Sequence, residues 1–454
     1  LQLFRIFIPL LLGLALFSCS PKEPNIIFLL ADDLRYDGMG AAGNKVIQTP
    51  EIDLLASQGA YFRNTYVTTS ICCSSRASIL TGQYMARHRI EDFTTSLSEE
   101  ALSKTYPLLL QANGYRTGFI GKYGVGKPKD QPADRFDFWE CTNMHQPKYE
   151  NYDSLGNMTH YTDIVNQSIQ SFLDSSDERP FCLSVSFKSP HSEDGDPRQF
   201  IPKDEFLSLY YGVEVPKAPT ATEEAWRRLP GFFRTDQSIA RKRWKLRFET
   251  DSLFQQSVKN YFRLINGIDQ VLGNIRATLE DKGLADNTII IFTSDNGFYL
   301  GEHGLAGKWF GHNESIRVPL IIFDPRDENV SGLQPDLTAL NLDIAPTILG
   351  LAEIPTPPNM QGRDLLKALR QDHHPPRTSF YYEHVLNGSP TIPKTYGLVT
   401  DSLKYLQYPE HNYEELFDLK NDPLETTNLA DAPAYANQLS LIRAEFAKQQ
   451  SLVK

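Results

Sequence analysis

Four short segments of the sequence carry residues able to do chemistry, and each follows an apolar run. Ala31-Asp32-Asp33 follows Asn25–Leu30, and Ser294-Asp295-Asn296-Gly297 follows Thr288–Thr293. Gly121-Lys122 follows Thr117–Ile120, and Lys188-Ser189-Pro190-His191 follows Phe181–Phe187. Asp32, Asp33, Asp295 and Asn296 offer hard oxygen donors, the ligand type that calcium or magnesium takes. No Cys/His cluster at zinc spacing competes with them. Asp or Asn before Gly is also ordinary turn chemistry, so either pair alone says little. Joined by Lys122, Lys188 and His191, they point to a cation site that meets an anion. A fifth segment, Thr69 to Gly82, sets Cys72 ahead of Ser74 and Ser75, which predict an N-cap for a short helix ending near Gly82. A helix N-terminus favours negative charge and would activate a thiol there, although an inert buried cysteine is the commoner case.

Something must bring these segments together. The apolar runs are continuous rather than alternating, as strands buried on both faces of a parallel sheet require. Leu320–Phe323 is a further run of this kind. Helical patterns lie between them at Pro50–Gly59, Leu102–Asn113, Tyr161–Asp174 and Ser257–Lys282. This alternation predicts an α/β fold with a large mixed, mostly parallel central sheet flanked by helices. Such sheets bind ligands beyond the carboxyl ends of their strands, which would gather the four segments at one edge. Residues 192–256 are polar and aromatic and read as an excursion from the sheet. Residues 352–378, with Pro355, Pro357, Pro358, Pro375 and Pro376, read as a boundary. Beyond it, Ser379–His384, Tyr396–Thr400 and Lys404–Tyr408 are strand-like and a last helix starts near Pro433. One large unit over 25–365 is therefore expected, followed by a smaller α+β unit over 366–454 built on an antiparallel sheet.

The bulk numbers exclude several classes. Of 454 residues, 22% are charged, near the roughly 25% of soluble globular proteins, which argues against disorder and against a multi-span membrane protein. Lys+Arg number 45 against Asp+Glu 56, a net charge of −11. A chain this acidic is a poor nucleic-acid binder, so an anionic ligand must be met by local positive charge. Between Arg227 and Arg247 there are eight Lys/Arg and one acidic residue, interleaved with Phe232, Phe233 and Trp244. That stretch is either a patch for an anionic polymer or a solvated helix face. The five cysteines, at 19, 72, 73, 141 and 182, form no disulfide framework. Ile6–Phe17 behind Arg5 is short of the roughly 20 residues of a membrane span and suits a secretory signal. Leu16-Phe17-Ser18-Cys19 is similar to a bacterial lipobox. The expectation is a signal peptide over 1–18, a tether over 19–24 lipidated at Cys19, and export to the periplasm or outer membrane of a bacterium. An ordinary cleaved signal with an incidental cysteine is the alternative.

From Cys72 to Gly82 the chain resembles the signature of the type I sulfatases of the alkaline-phosphatase-like superfamily, Cys-x-Pro-Ser-Arg then Leu-Thr-Gly, with Ser74 in place of proline. The resemblance runs on through Asn25–Asp33, Gly121-Lys122, Pro190-His191, Thr293–Gly297, Gly301–Gly304, Lys308, Val318-Pro319 and Glu415–Leu419. It implies that Cys72 is oxidised to formylglycine (3-oxoalanine) by a maturation enzyme and that the aldehyde hydrate attacks sulfur. It further implies calcium held by Asp32, Asp33, Asp295, Asn296 and residue 72. Arg76, Lys122 and Lys308 are expected to stabilise the transferring group and His191 to act as general acid. Lys188, His303 and His384 are expected at the substrate. The family often has His two residues after the strand-end lysine; here that position is Gly124, and His88 is a candidate to compensate. The implied activity is desulfation of oligosaccharides from algal polysaccharides of the ulvan or carrageenan type, or from glycosaminoglycans. Two alternatives stand beside it: a phosphonate monoester or phosphodiester hydrolase of the same superfamily, and a glycan-binding lipoprotein that is never matured.

Overall fold

The computed structural model describes residues 22–235, 237–370, 376–386 and 392–454. The expected signal peptide and Cys19 lie outside the described residues. Seven strands form the central sheet: β1 (Asn25–Asp32), β2 (Ala60–Tyr61), β3 (Arg116–Gly121), β4 (Phe138–Cys141), β5 (Phe181–Pro190), β6 (Thr288–Ser294) and β7 (Leu320–Phe323). Their order is β2-β7-β6-β1-β5-β3-β4. From β6 to β4 all pairings are parallel, and β7 runs antiparallel to β6 and to β2. The sheet is thus mixed and mostly parallel, as expected, with β7 reversed relative to its neighbour.

Helices cover both faces. Tyr161–Leu173 and the 31-residue helix Asp251–Asp281 bury apolar stripes spaced three and four residues apart, including Val165, Ile169, Phe172, Ile265, Ile268, Leu272 and Ile275. Thr250 caps the long helix by accepting from the Leu253 amide. The pattern read over Leu102–Asn113 is in fact two helices, Glu99–Ser103 and Tyr106–Ala112. Thr105 is extended ahead of Pro107 in the second helix's first turn, and proline belongs there rather than in a helix interior.

The C-terminal sheet is β8 (Ser379–His384), β9 (Thr395–Thr400), β10 (Leu403–Tyr408) and β11 (Tyr413–Asp418), antiparallel and in sequence order. β11 went unread in the sequence because acidic residues interrupt its apolar pattern. The helix Ala436–Val453 packs on this sheet through Leu439, Ile442 and Phe446. One continuous apolar core joins Phe28 and Ile289 of the central sheet to Leu398, Leu406 and Leu416 of the C-terminal sheet. No helix among the described residues is long and apolar enough to cross a membrane.

Glu383 on β8 lies in this core and accepts from the Ala86 amide at 2.7 Å. Burial raises its carboxyl from 4.5 to about 7. A carboxyl raised in the folded state contributes stability that is complete below about pH 4.5 and fades as pH rises through about 7. Glu383→Gln is therefore expected to flatten the fall in melting temperature between pH 5 and pH 8. Parallel melting curves of wild type and variant, equally steep across that range, would refute this.

Candidate functional site

The carboxyl edge of the sheet delivers the site. Asp32 ends β1 and Asp33 follows in a left-handed turn at φ 71°. Asp295 and Asn296 follow β6, and all four are buried. Lys122 follows Gly121, whose φ is +95° and whose missing Cβ would lie 2.1 Å from the Ser186 carbonyl oxygen. Glycine is what lets β3 turn there against β5. His191 follows the last residue of β5.

The helix Cys72–Thr81 supplies Cys72 and Arg76. It begins at Cys72 itself, with extended Ile71 at the N-cap and no side-chain cap, so the serines do not cap it as the sequence suggested. Ser74 instead donates to the Ile90 carbonyl at 2.6 Å, and Ser75 accepts from Asn341 at 2.9 Å. A proline at 74 could not make the first of these bonds. The free amides of the first turn are left facing the site, where they favour an anion. Gly82 closes the helix in the left-handed region at φ 64°.

Charges interlock around Cys72. Its Sγ lies 3.3 Å from Asp32 Oδ1 and 3.0 Å from Lys308 Nζ. Lys308 Nζ also donates to Asp33 Oδ1 at 2.5 Å, and Lys122 Nζ to Asp32 Oδ2 at 2.5 Å. Arg76 donates from Nε to Asp295 Oδ2 at 2.9 Å, and from Nη1 to Ser186 Oγ at 2.7 Å and to the Lys122 carbonyl. Its Nη2 has no hydrogen-bond acceptor and lies 3.5 Å from Asp32 Oδ2. The Nη2 amino group thus has its hydrogens left for a ligand. Gly124, where the family often has His, sits against this guanidinium: a Cβ there would lie 2.7 Å from Arg76 Cδ.

His191 Nε2 lies 3.5 Å from Asp33 Oδ2 and 3.1 Å from Gln146 Nε2. Its Nδ1 is 2.6 Å from the Ser192 carbonyl oxygen. A carbonyl only accepts, so Nδ1 carries the proton and Nε2 presents its lone pair to the site. Burial, together with Lys308 and Lys122, pushes this imidazole well below its usual value. It therefore stands neutral here, and an arriving anion that offsets the lysines would raise its proton affinity.

The carboxylates are strongly polarised. Burial raises Asp33 to about 6, with Asp32 and Asp295 adding to the effect and Lys308 opposing it. Burial likewise raises Asp295. For Asp32, burial is outweighed by Lys122, Arg76 and Lys308, which hold it below the carboxylate range. Packing repelling carboxylates this tightly suits a shared cation. The donor set fits one: Asn296 Oδ1 is buried without a hydrogen-bond donor, and donor atoms of Asp32, Asp33, Cys72 and His191 lie within 4.8 Å of one another. Burial and Asp32 also push the Cys72 thiol well above its usual value, so as a plain cysteine it stays protonated and is a poor nucleophile.

The structure brings Asp32, Asp33, Cys72, Arg76, Lys122, His191, Asp295, Asn296 and Lys308 to one site. Lys188, His303 and His384 are buried as well, each in its own surroundings. Lys188 is buried against Glu193 at 2.6 Å with its ammonium 4.0 Å over the Tyr149 ring, so a structural ion pair already occupies it. His303 stacks on His312 with ring centroids 4.4 Å apart and faces Glu314 at 3.8 Å. His384 is fully buried on β8, and burial holds it neutral at about 3. His88 bonds to Ser78 and to the Ile90 amide, so it props the Cys72 helix rather than replacing a residue at Gly124. Four of the eight cations of the basic stretch are ion-paired, with three carboxylates: Arg228 with Glu224, Arg241 with Glu223, and Arg243 and Arg247 with Asp194. Cys73, Cys141 and Cys182 are free thiols. Sequence reading missed Ser186 and Gln146; neither sits in a motif, and only the fold brings them to Arg76 and His191.

Comparison with known proteins agrees with this geometry. The sulfatase family pattern matches residues 24–354, and a pattern described as the C-terminal part of N-sulphoglucosamine sulphohydrolase matches 301–451. An N-acetylglucosamine-6-O-sulfatase of Bacteroides thetaiotaomicron is 27% identical, over 94% of this chain and 87% of that protein. A solved structure described as a complex with its substrate D-glucosamine-2-N,6-O-disulfate superposes with TM-score 0.81 at 26% identity, covering 95% of this chain and 98% of the other. A phosphonate monoester hydrolase of Silicibacter pomeroyi shares the fold, with TM-score 0.80 at 20% identity, over 95% and 96%. With a cysteine, its acidic cluster and three fixed cations set at the carboxyl edge of this sheet, the chain belongs to the sulfatase family and is a sulfuric ester hydrolase.

Proposed function

We propose that the chain is a carbohydrate sulfatase that removes sulfate esters from oligosaccharides, with glucosamine-bearing glycosaminoglycan fragments the first substrates to try. The observation that carries this reading is the placement of Cys72 Sγ between Asp32 Oδ1 and Lys308 Nζ at a helix N-terminus. The glucosamine choice is supported by the relative and the bound substrate named above. Residue 72 acts as formylglycine, whose hydrate supplies one hydroxyl for attack on sulfur and a second for release of sulfate. Calcium is held by Asp32, Asp33, Asp295 and Asn296 and supplies positive charge beside residue 72. Lys122, Lys308 and the open Nη2 of Arg76 bind the sulfuryl oxygens and stabilise the charge that builds on them. Once the bound anion offsets the lysines, His191 takes up a second proton at Nε2 and gives it to the departing sugar oxygen. Export and anchoring through Cys19 belong to the same proposal, and labelled-palmitate incorporation that is lost in Cys19→Ala checks them.

Activity against a panel of glucosamine 6-sulfate, N-sulfate and 2-N,6-O-disulfate, uronate 2-sulfates, and carrageenan and ulvan fragments tests the substrate class. Faster turnover of an aryl phosphodiester than of any sulfate ester would favour the phosphonate or phosphodiester hydrolase reading instead. The role of His191 is checked by leaving-group dependence. Loss of a general acid costs roughly 10²–10⁴-fold when the leaving oxygen needs its proton. His191→Ala is therefore expected to slow a sugar sulfate by about 100-fold or more and nitrophenyl sulfate by much less. Equal losses on both would assign His191 another job.

A further inference from the structure

We infer that Tyr382, on the C-terminal sheet, is a positioning residue that holds Lys308 against residue 72. Tyr382 is fully buried on β8, and its hydroxyl donates to the Trp309 carbonyl at 2.9 Å. The Ser70 backbone lies close to the same hydroxyl. The hydroxyl thus lies between two loops, one ending two residues before Cys72 and the other beginning just after Lys308, and is bonded to the second.

The Trp309 backbone needs such a restraint. Its φ is +89°, a left-handed conformation that a bulky side chain rarely adopts and that persists only where the surroundings impose it. This turn follows Lys308 directly, so its conformation bears on where Nζ lies, 3.0 Å from Cys72 Sγ and in contact with Asp33. The Ser70 loop also reaches the segment beyond Lys308 through Ser70 Oγ, which donates to the Ser315 carbonyl at 2.8 Å. β8 reaches the same region through its own backbone, where the Glu383 amide donates to the Thr68 carbonyl at 3.0 Å. Removing the hydroxyl while keeping the ring would leave the packing in place and free the Trp309 carbonyl.

The inference rests on Lys308 acting on the transferring group. Its test compares wild type, Tyr382→Phe, Lys308→Ala and the double variant, each with its formylglycine content measured and its rate normalised to it. Tyr382→Phe is expected to lower kcat about ten-fold, in keeping with the cost of displacing a catalytic group, with KM within about two-fold and melting little changed. In the Lys308→Ala background the same substitution is expected to add no further loss, because groups acting as a unit are not additive. Equal loss in both backgrounds would show a general structural effect and overturn the inference. A disabled Lys308→Ala beside an unimpaired Tyr382→Phe would overturn it alone. Lys308→Ala at the wild-type rate would remove the role of Lys308 and this inference with it.

Discussion

Cys72→Ala is expected to abolish sulfate-ester turnover, by on the order of 10⁵-fold or more, as removal of a covalent nucleophile does. The fold should survive. The side chain is small, its contacts are to Asp32 and Lys308, and those two groups keep other partners in Lys122 and Asp33. The melting temperature of the variant should stay within a few degrees of wild type, so the loss can be read as chemistry. Cys72→Ser sharpens the test. A serine restores a hydroxyl of similar size in the same contacts, yet it gives no aldehyde by the cysteine-oxidising route. If the oxidised residue is the nucleophile, Cys72→Ser stays far below wild type in a host whose maturation enzyme acts on cysteine. Near wild-type activity in the serine variant would mean that a single hydroxyl suffices.

Removal of the cation is the second large effect expected. Three buried carboxylates, Asp32, Asp33 and Asp295, face three fixed cations, Arg76, Lys122 and Lys308. A divalent ion adds two positive charges to this balance and gives Asn296 Oδ1 the partner it otherwise lacks. Dialysis against a calcium chelator is expected to lower turnover by on the order of 10³-fold, since fixed charge at a transferring group is commonly the largest catalytic contribution. Added calcium should restore the rate and raise the melting temperature, because an ion that binds only the folded state stabilises it. Asp295→Ala should abolish the calcium-dependent rise in melting. Full activity in protein shown by elemental analysis to be metal-free would count against the cation.

Much of this site was legible in the sequence because burial leaves a simple trace. A strand covered on both faces must be apolar throughout, so Asn25–Leu30 and Thr288–Thr293 stood out, and the polar residues after them fell at the sheet edge. Direction leaves no such trace, which is why Leu320–Phe323 did not reveal that it runs antiparallel. The Cys72 motif marked a helix but misplaced its start, since Ser74 and Ser75 spend their side chains on Ile90 and Asn341 rather than on capping. Pairings across long separations were beyond reach. Arg76 meets Asp295 across 219 residues, and Lys308 meets Cys72 across 236. His303 and His384 were read as substrate residues from their neighbours in sequence; both are buried, His303 stacked on His312. The charge of −11 pointed away from an anionic ligand; the fold sets that aside locally by drawing Arg76, Lys122 and Lys308 to one strand edge.

The central claim is that residue 72 works as an aldehyde hydrate rather than as a thiol. Mass spectrometry of the peptide spanning residue 72, on active enzyme from a host that matures such cysteines, tests it most directly. Sulfur lost and oxygen gained at residue 72, in proportion to specific activity across preparations, is the predicted result. Full activity in protein whose Cys72 is entirely a free, alkylatable thiol would contradict it.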